Sequence, residues 1–190
     1  IIAIYGITKD PKTSNFMMVM EYATNGNLRQ NLNRNFNLLT WRDKLTILNF
    51  IAHGLHDIHK NGLIHHDFHS GNILNFDGST CSITDLGLSK PANENQSKKV
   101  YGVLPYVAPE VLRGKKYTQE SDVYSFGIII YEVINGLPPY HDMAHEEFLA
   151  IKICQGLRPR FNIKVPQLID DMFKQCVDAI PSKRPTAEYL

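Results

Sequence analysis

Cysteine is scarce in this chain. Cys81, Cys154 and Cys176 are the only three in 190 residues, and no two of them stand at CxxC spacing. That excludes a disulfide scaffold and a paired-thiol motif, and it fits reduced thiols in an intracellular, cytoplasmic setting. An excess of one charge is lacking too: 20 Lys and Arg stand against 19 Asp and Glu. No electrostatic footprint for nucleic acid or an anionic membrane results. Long apolar runs are missing. The longest, "FGIII" at 126–130, is broken by Tyr131 and Glu132, far short of the ~20 residues that span a bilayer, and no secretory signal opens the chain. What remains is an ordinary globular composition, 43% hydrophobic and 21% charged, sufficient for one well-buried core. The chain opens on "IIAIYGI" and closes on "RPTAEYL" without a helix stop signal; both ends read as cuts through structure, as in part of a longer polypeptide.

Residues 1–8 and 16–22 are apolar runs separated by "KDPKTS", the pattern of a hairpin whose turn contains Pro11. "TNGN" at 24–27 breaks it. "TWRD" then has the form of a capping box, with Thr40 as N-cap and Asp43 facing the first-turn amides. Leu45, Leu48, Ala52, Leu55 and Ile58 follow at helical spacing, and Asn61-Gly62 stops the helix. "NILNF" and "CSITDL" flank Asp77-Gly78, a second hairpin. Residues 91–99 are polar and without period, the signature of a mobile loop. From Ser121 a helix is expected with Val123, Phe126, Ile130 and Val133 on one face, ending at Asn135-Gly136; further amphipathic helices are broken by Pro159, Pro166 and Pro181. The balance is an α+β domain, mainly helical, with the first strand pair in a small sheet of its own.

The chemistry concentrates in "LIHHDFHSGNIL". Six of the eight histidines lie between positions 53 and 69, and His65, His66, Asp67 and His69 fall within five residues. Such a cluster could hold zinc if its ligands were locked on one face. The same letters also suit a loop in which one Asp is a base and one Asn a magnesium ligand. Order along the chain separates the two readings. "HHDFHSGN" is followed by "DLG" at 85–87, "APE" at 108–110 and Asp122 at a helix start. In that order the motifs resemble those of a protein kinase, whose catalytic loop, D-F-G and A-P-E motifs have these forms. The resemblance runs from the fourth strand of such a domain onward and favours the tyrosine-kinase-like group with Ser/Thr specificity.

The resemblance implies a partial catalytic domain. Residues 1–22 would be a remnant of the small-lobe sheet and the hinge start, and 23–190 the hinge and large helical lobe, with a catalytic loop at 63–74 and an activation segment at 85–110. It implies ATP, Mg2+ and a protein substrate, and assigns roles. Asp67 would accept the substrate hydroxyl's proton. Asn72 and Asp85 would hold Mg2+, and His69 takes the place of a phosphate-contacting lysine. Met20 would be the gatekeeper, Glu21 and Ala23 the backbone partners of adenine, Asn27 a ribose contact and Leu74 the floor beneath the ring. Gly87 would turn the chain sharply, and Ser97 and Tyr101 would be hydroxyls open to phosphorylation. Asp122 would bind amides of the catalytic loop, Arg184 would pair with Glu110, and His65 would pack in a spine with Leu86 and Ile4. Three residues depart from the family pattern: His66 replaces an arginine, His69 a lysine and Val103 a threonine. No glycine-rich loop, strand lysine or helical glutamate is found. By that reading the 190 residues alone transfer phosphate poorly, and the alternative is a catalytically dead kinase-like binding module or scaffold.

Overall fold

The computed structural model describes residues 1–86, 89–91, 102–144 and 146–190. Among these an α+β fold runs in the order β1 (Ile4–Lys9), β2 (Phe16–Met20), α1 (Leu28–Asn35), α2 (Trp41–Lys60), β3 (Leu63–Ile64), β4 (Ile73–Asn75), β5 (Cys81–Ile83), β6 (Lys90–Pro91), α3 (Pro109–Leu112), α4 (Gln119–Asn135), α5 (Glu147–Cys154) and α6 (Gln167–Cys176). The strands form three antiparallel pairs, β1–β2, β3–β6 and β4–β5. Most of the expected loop at 91–99, with Ser97, Tyr101 and Gly87, lies outside the described residues. Pro91, expected in that loop, instead pairs with Leu63.

The β1–β2 hairpin closes where the sequence indicates, with Asp10 Oδ1 accepting the Lys12 N–H at 2.7 Å. It stands away from the core: Tyr5 is 69%, Ile7 71% and Phe16 79% exposed. Ile4 is 56% exposed on this hairpin.

Helix α1 has no hydrophobic run to announce it. Its start is a capping box, in which Asn27 Oδ1 accepts the Gln30 N–H at 2.9 Å and Gln30 Oε1 accepts the Asn27 N–H at 3.1 Å. The box expected before α2 is present: Thr40 Oγ1 accepts from the Asp43 amide at 3.2 Å and Asp43 Oδ2 from the Thr40 amide at 2.8 Å. The buried face of α2 carries Ile47, Leu48, Ile51, Ala52, Leu55 and Ile58. Leu45 is 46% exposed, since it lies roughly 200° around the helix from Ile47, on the far side of the Ile47–Ile51–Leu55 stripe.

Helix α4 is the centre of the core. It starts at Gln119, two residues ahead of the expected Ser121, and is buried from Ser121 to Asn135. The expected Val123, Phe126, Ile130 and Val133 are buried, and so are Ile128, Ile129 and Ile134. A helix apolar on every side belongs inside a domain. Glu110 in α3 and Arg184 are paired as expected, through two contacts of 2.7 Å, and Arg184 also donates to the Glu120 carbonyl at 2.8 Å.

Packing of α6 on α4 depends on Gly127, where a Cβ would lie 2.7 Å from Val177 Cγ1 and 2.8 Å from Cys176 Cβ. Gly127→Ala gains helix propensity of about 1 kcal/mol but meets an overpacking cost of about 1–3 kcal/mol. Because Cys176 Cβ sits next to its own backbone, overpacking wins, and urea denaturation should show a net loss of up to about 2 kcal/mol; a stabilised variant would show that the two helices separate freely.

Candidate active site

The loop between β3 and β4 is held from beneath by one carboxylate. Asp122, in the first turn of α4, accepts the His65 N–H through Oδ2 at 2.8 Å and the His66 N–H through Oδ1 at 3.3 Å. His59, at the end of α2, brings its Nε2 to 3.0 Å of Asp122 Oδ2. The role expected of Asp122 is thus matched by its contacts. The His59 side chain is 7% exposed.

Hydrogen bonds fix the two ring tautomers around Asp67. His65 Nε2 lies 3.0 Å from the Thr84 carbonyl, which can only accept, so Nε2 carries the proton; Nδ1 then accepts the Asp67 N–H at 3.3 Å. His69 Nδ1 accepts the Gly71 N–H at 3.0 Å, which puts its proton on Nε2, 3.4 Å from Asp67 Oδ1. The His69 N–H beside Asp67 holds its carboxyl below the usual carboxylate range, against the opposing effect of burial. Both nitrogens of His65 and of His69 are committed, and no cluster of metal-ligating side chains occurs among the described residues. A zinc site on this stretch is ruled against by that commitment.

Asn72 closes the loop. Its Nδ2 donates to the Asp67 carbonyl at 2.9 Å and to Asp67 Oδ2 at 3.3 Å, so its Oδ1 is the atom left for a cation. The Thr84 N–H donates to the Asn72 carbonyl at 2.9 Å, which places the exposed Asp85 next to Asn72; Asp85 has φ +59°. Gly102 approaches from the other side with φ +100°, and a Cβ there would lie 3.2 Å from Asp67 Oδ1. Val103, beside it, is 41% exposed.

The segment after β2 is tied to β4. The Glu21 N–H donates to the Ala3 carbonyl at 3.0 Å, Gly26 N–H to the Ala23 carbonyl at 3.2 Å, and Asn75 N–H to the Gly26 carbonyl at 2.8 Å. Asn27 bridges Leu74, so these two expected site residues are brought together. Asn27 Oδ1 caps α1, leaving only its Nδ2 for a ribose. Met20, at 39% exposure, ends β2 at the edge of this segment.

Behind the loop lies a polar network that was not visible in the sequence. Arg29 Nη2 is 2.8 Å from Glu132 Oε1 and donates to Tyr106 Oη at 2.8 Å, Tyr106 donates to Glu132 Oε2, and Ser70 Oγ is 3.2 Å from Tyr106 Oη. Burial pushes the Glu132 carboxyl up, and Arg29 and the Tyr106 hydroxyl oppose it. Burial also pushes the Tyr106 phenol up. Arg29, Tyr106 and Glu132 lie 26 to 103 positions apart, and no spacing rule joins them.

The family model described as "Protein tyrosine and serine/threonine kinase" matches residues 1–190. The chain belongs to the protein kinase family. Similar proteins include a probable serine/threonine-protein kinase of Dictyostelium discoideum, 33% identical over 93% of this chain and 11% of that protein. A putative serine/threonine-protein kinase/receptor of Acanthamoeba polyphaga mimivirus is 32% identical over 92% of the chain and 11% of its own length. A dual specificity protein kinase of Dictyostelium discoideum is 32% identical over 92% of the chain and 24% of its own length. The kinase-family chain therefore spans about a tenth of the first two relatives. Among the described residues no helix is long and apolar enough to cross a membrane.

Truncation of Arg29 leaves Glu132, 0% exposed, as an uncompensated buried carboxylate. Arg29→Ala should cost about 3–5 kcal/mol in chemical denaturation, with much of the loss recovered in Arg29→Met/Glu132→Leu. A loss under ~1 kcal/mol would show that the network contributes no more than a surface pair.

Proposed function

We propose that this chain is the hinge and large lobe of a protein kinase that transfers the γ-phosphate of ATP to a protein hydroxyl, Ser or Thr being favoured. The observation that carries the reading is the pinned catalytic loop: Asp67 sits between Asn72 and His69 on a loop whose amides are held by Asp122. The serine/threonine-protein kinase names of two relatives support a Ser/Thr acceptor. In this reading residues 1–22 belong to the small-lobe sheet and hinge start, and 23–190 to the hinge and large lobe.

The donor set fits the nucleotide and the cation. The Glu21 carbonyl and the Ala23 N–H are left for the adenine edge, since the Glu21 amide and the Ala23 carbonyl have partners. Met20 flanks the ring, Leu74 lies beneath it, and Asn27 Nδ2 is within the same segment for the ribose. Asn72 Oδ1 and the Asp85 carboxylate are hard oxygen donors suited to Mg2+. Mg2+ held there neutralises the phosphate charge. Asp67 takes the proton of the substrate hydroxyl as that oxygen bonds to the γ-phosphorus and the bond to the ADP oxygen breaks. His69 Nε2–H, directed at Asp67, favours its deprotonated form.

The 190 residues contain no glycine-rich loop and no strand lysine to cover the phosphates, so the chain by itself is a poor phosphotransferase. The exposed apolar face of β1–β2 suits docking of the sheet that supplies them. The three unpaired thiols suit the reducing cytoplasm.

Asp67→Asn, in a polypeptide with a complete small lobe ahead of Ile1, should lower turnover by about 10²–10⁴-fold with MgATP affinity nearly unchanged. Undiminished turnover would remove Asp67 as the base. Absence of turnover in the parent itself would favour the alternative, a catalytically silent binding module, which the departures at His66, His69 and Val103 are consistent with. Because His66, where an arginine is usual, stacks on a tyrosine ring, activity should be the same before and after phosphatase treatment; a large loss would tie it to activation-segment phosphorylation.

A further inference from the structure

His66 carries a conformational cost. It is one of four non-glycine residues with positive φ among the described residues, at φ +71°, and such a backbone persists only where its surroundings over-determine it. Asp122, in the first turn of α4, and Tyr117, two residues before that helix, both hold it. Asp122 holds the His66 amide at 3.3 Å. Tyr117 holds the ring: the two ring centroids are 4.7 Å apart with planes inclined by 19°. Each of the two residues is 8% exposed. His66, Asp67, Tyr117, Ser121, Asp122 and Ser125 line one shallow pocket with room for about one water, about 10 Å3.

The consequence falls on Asp67. Among the described residues its carboxylate has long side-chain contacts, 3.3 Å to Asn72 Nδ2 and 3.4 Å to His69 Nε2. Contacts of that length do not fix a direction strongly. The aim of the carboxylate is therefore set through the backbone of the residue before it. We infer that Tyr117 is a positioning residue for phosphoryl transfer: by stacking on His66 it locks the catalytic loop in the left-handed turn that points Asp67 at the acceptor hydroxyl. Tyr117 touches no reacting atom. It works from five positions before Asp122, so that the segment leading into α4 holds the ring of His66 while the first turn of α4 holds its amide.

The inference rests on the phosphotransfer reading, and its test separates the two. In the full-length polypeptide, Tyr117→Leu should lower kcat by about 10- to 100-fold, the scale of a small misplacement of a reacting group, with the KM for ATP within about twofold. Tyr117→Phe, which keeps the stack, should retain most of kcat. His66→Ala should match Tyr117→Leu, and the double variant should lose no more than either single one. If Tyr117→Leu does not fold, His66→Ala removes the same stack from the other side and is compared with Tyr117→Phe. An unchanged kcat, or losses that simply add, overturns the inference. If the wild-type polypeptide shows no turnover, the phosphotransfer reading fails, and magnetic resonance of the 190-residue chain decides the rest. Tyr117→Leu should then shift the His65, His66 and Asp67 amides and abolish the ring-current shift of the His66 imidazole protons; unchanged resonances overturn the inference.

Discussion

The carboxylate of Asp122 is the constraint on which the site depends. At 2% exposure it is nearly out of water, and a buried carboxylate is tolerable only when its lone pairs are satisfied. Three groups satisfy them: two consecutive loop amides and the ring of His59. They come from two separate segments. His59 ends α2, His65 and His66 open the loop, and Asp122 itself sits at the positive end of α4. One side chain therefore sets the height and orientation of the loop relative to the core. The effect is passed on, because the His65 ring bonds the Thr84 carbonyl, the residue immediately before Asp85. The proposed base and both proposed magnesium ligands are thus referenced to a single buried charge.

A second charged group acts from the other side. Glu132, two turns or more along α4 from Asp122, is bonded to Arg29 of α1 and Tyr106 of the segment before α3. Arg29 lies in the first turn of α1, and Ser70 of the loop between β3 and β4 reaches the same hydroxyl. An apolar core could fill this volume with equal stability. What the polar network adds is geometry, since its members orient one another. Helix α4 therefore carries two anchors, Asp122 for the loop's backbone and Glu132 for the segments that flank it. Its apolar surface buries it in the core on every side, so neither anchor can shift without disturbing that packing.

Local rules made much of this legible in the sequence. The α2 capping box and the two hairpins need only neighbours along the chain, and they stand where the sequence puts them. The order of "HHDFHSGN", "DLG" and "APE" carried the family, because ordered motifs constrain one another although each is weak alone. The failures share a different cause. Leu45 was assigned to a buried face, but which stripe of α2 faces inward is decided by α4, about 80 residues later. Helix α1 has mean composition too polar for a periodicity argument; its signal was the Asn27–Gln30 capping box, present but unread. The β3–β6 pair is two residues long and joins segments 27 positions apart. Arg29, Glu132, His59 and Tyr117 acquire their roles only from long-range contacts, and a single sequence contains no term that brings them together.

The histidines show why type and spacing alone could not decide the chemistry. A metal requires free lone pairs converging on one point, and spacing says nothing about whether those lone pairs are free. His65 gives one ring nitrogen to Thr84 and the other to the Asp67 amide. His69 gives one to the Gly71 amide and turns the other toward Asp67. His59 is spent on Asp122, and the ring of His66 is stacked flat on Tyr117. Four histidines thus serve as four different structural parts: a tether, a donor to the carboxylate, a brace and a stacking face. An imidazole suits each of these tasks because it offers a flat ring with two nitrogens of opposite hydrogen-bonding sense, and all four tasks converge on the same object, the position of Asp67.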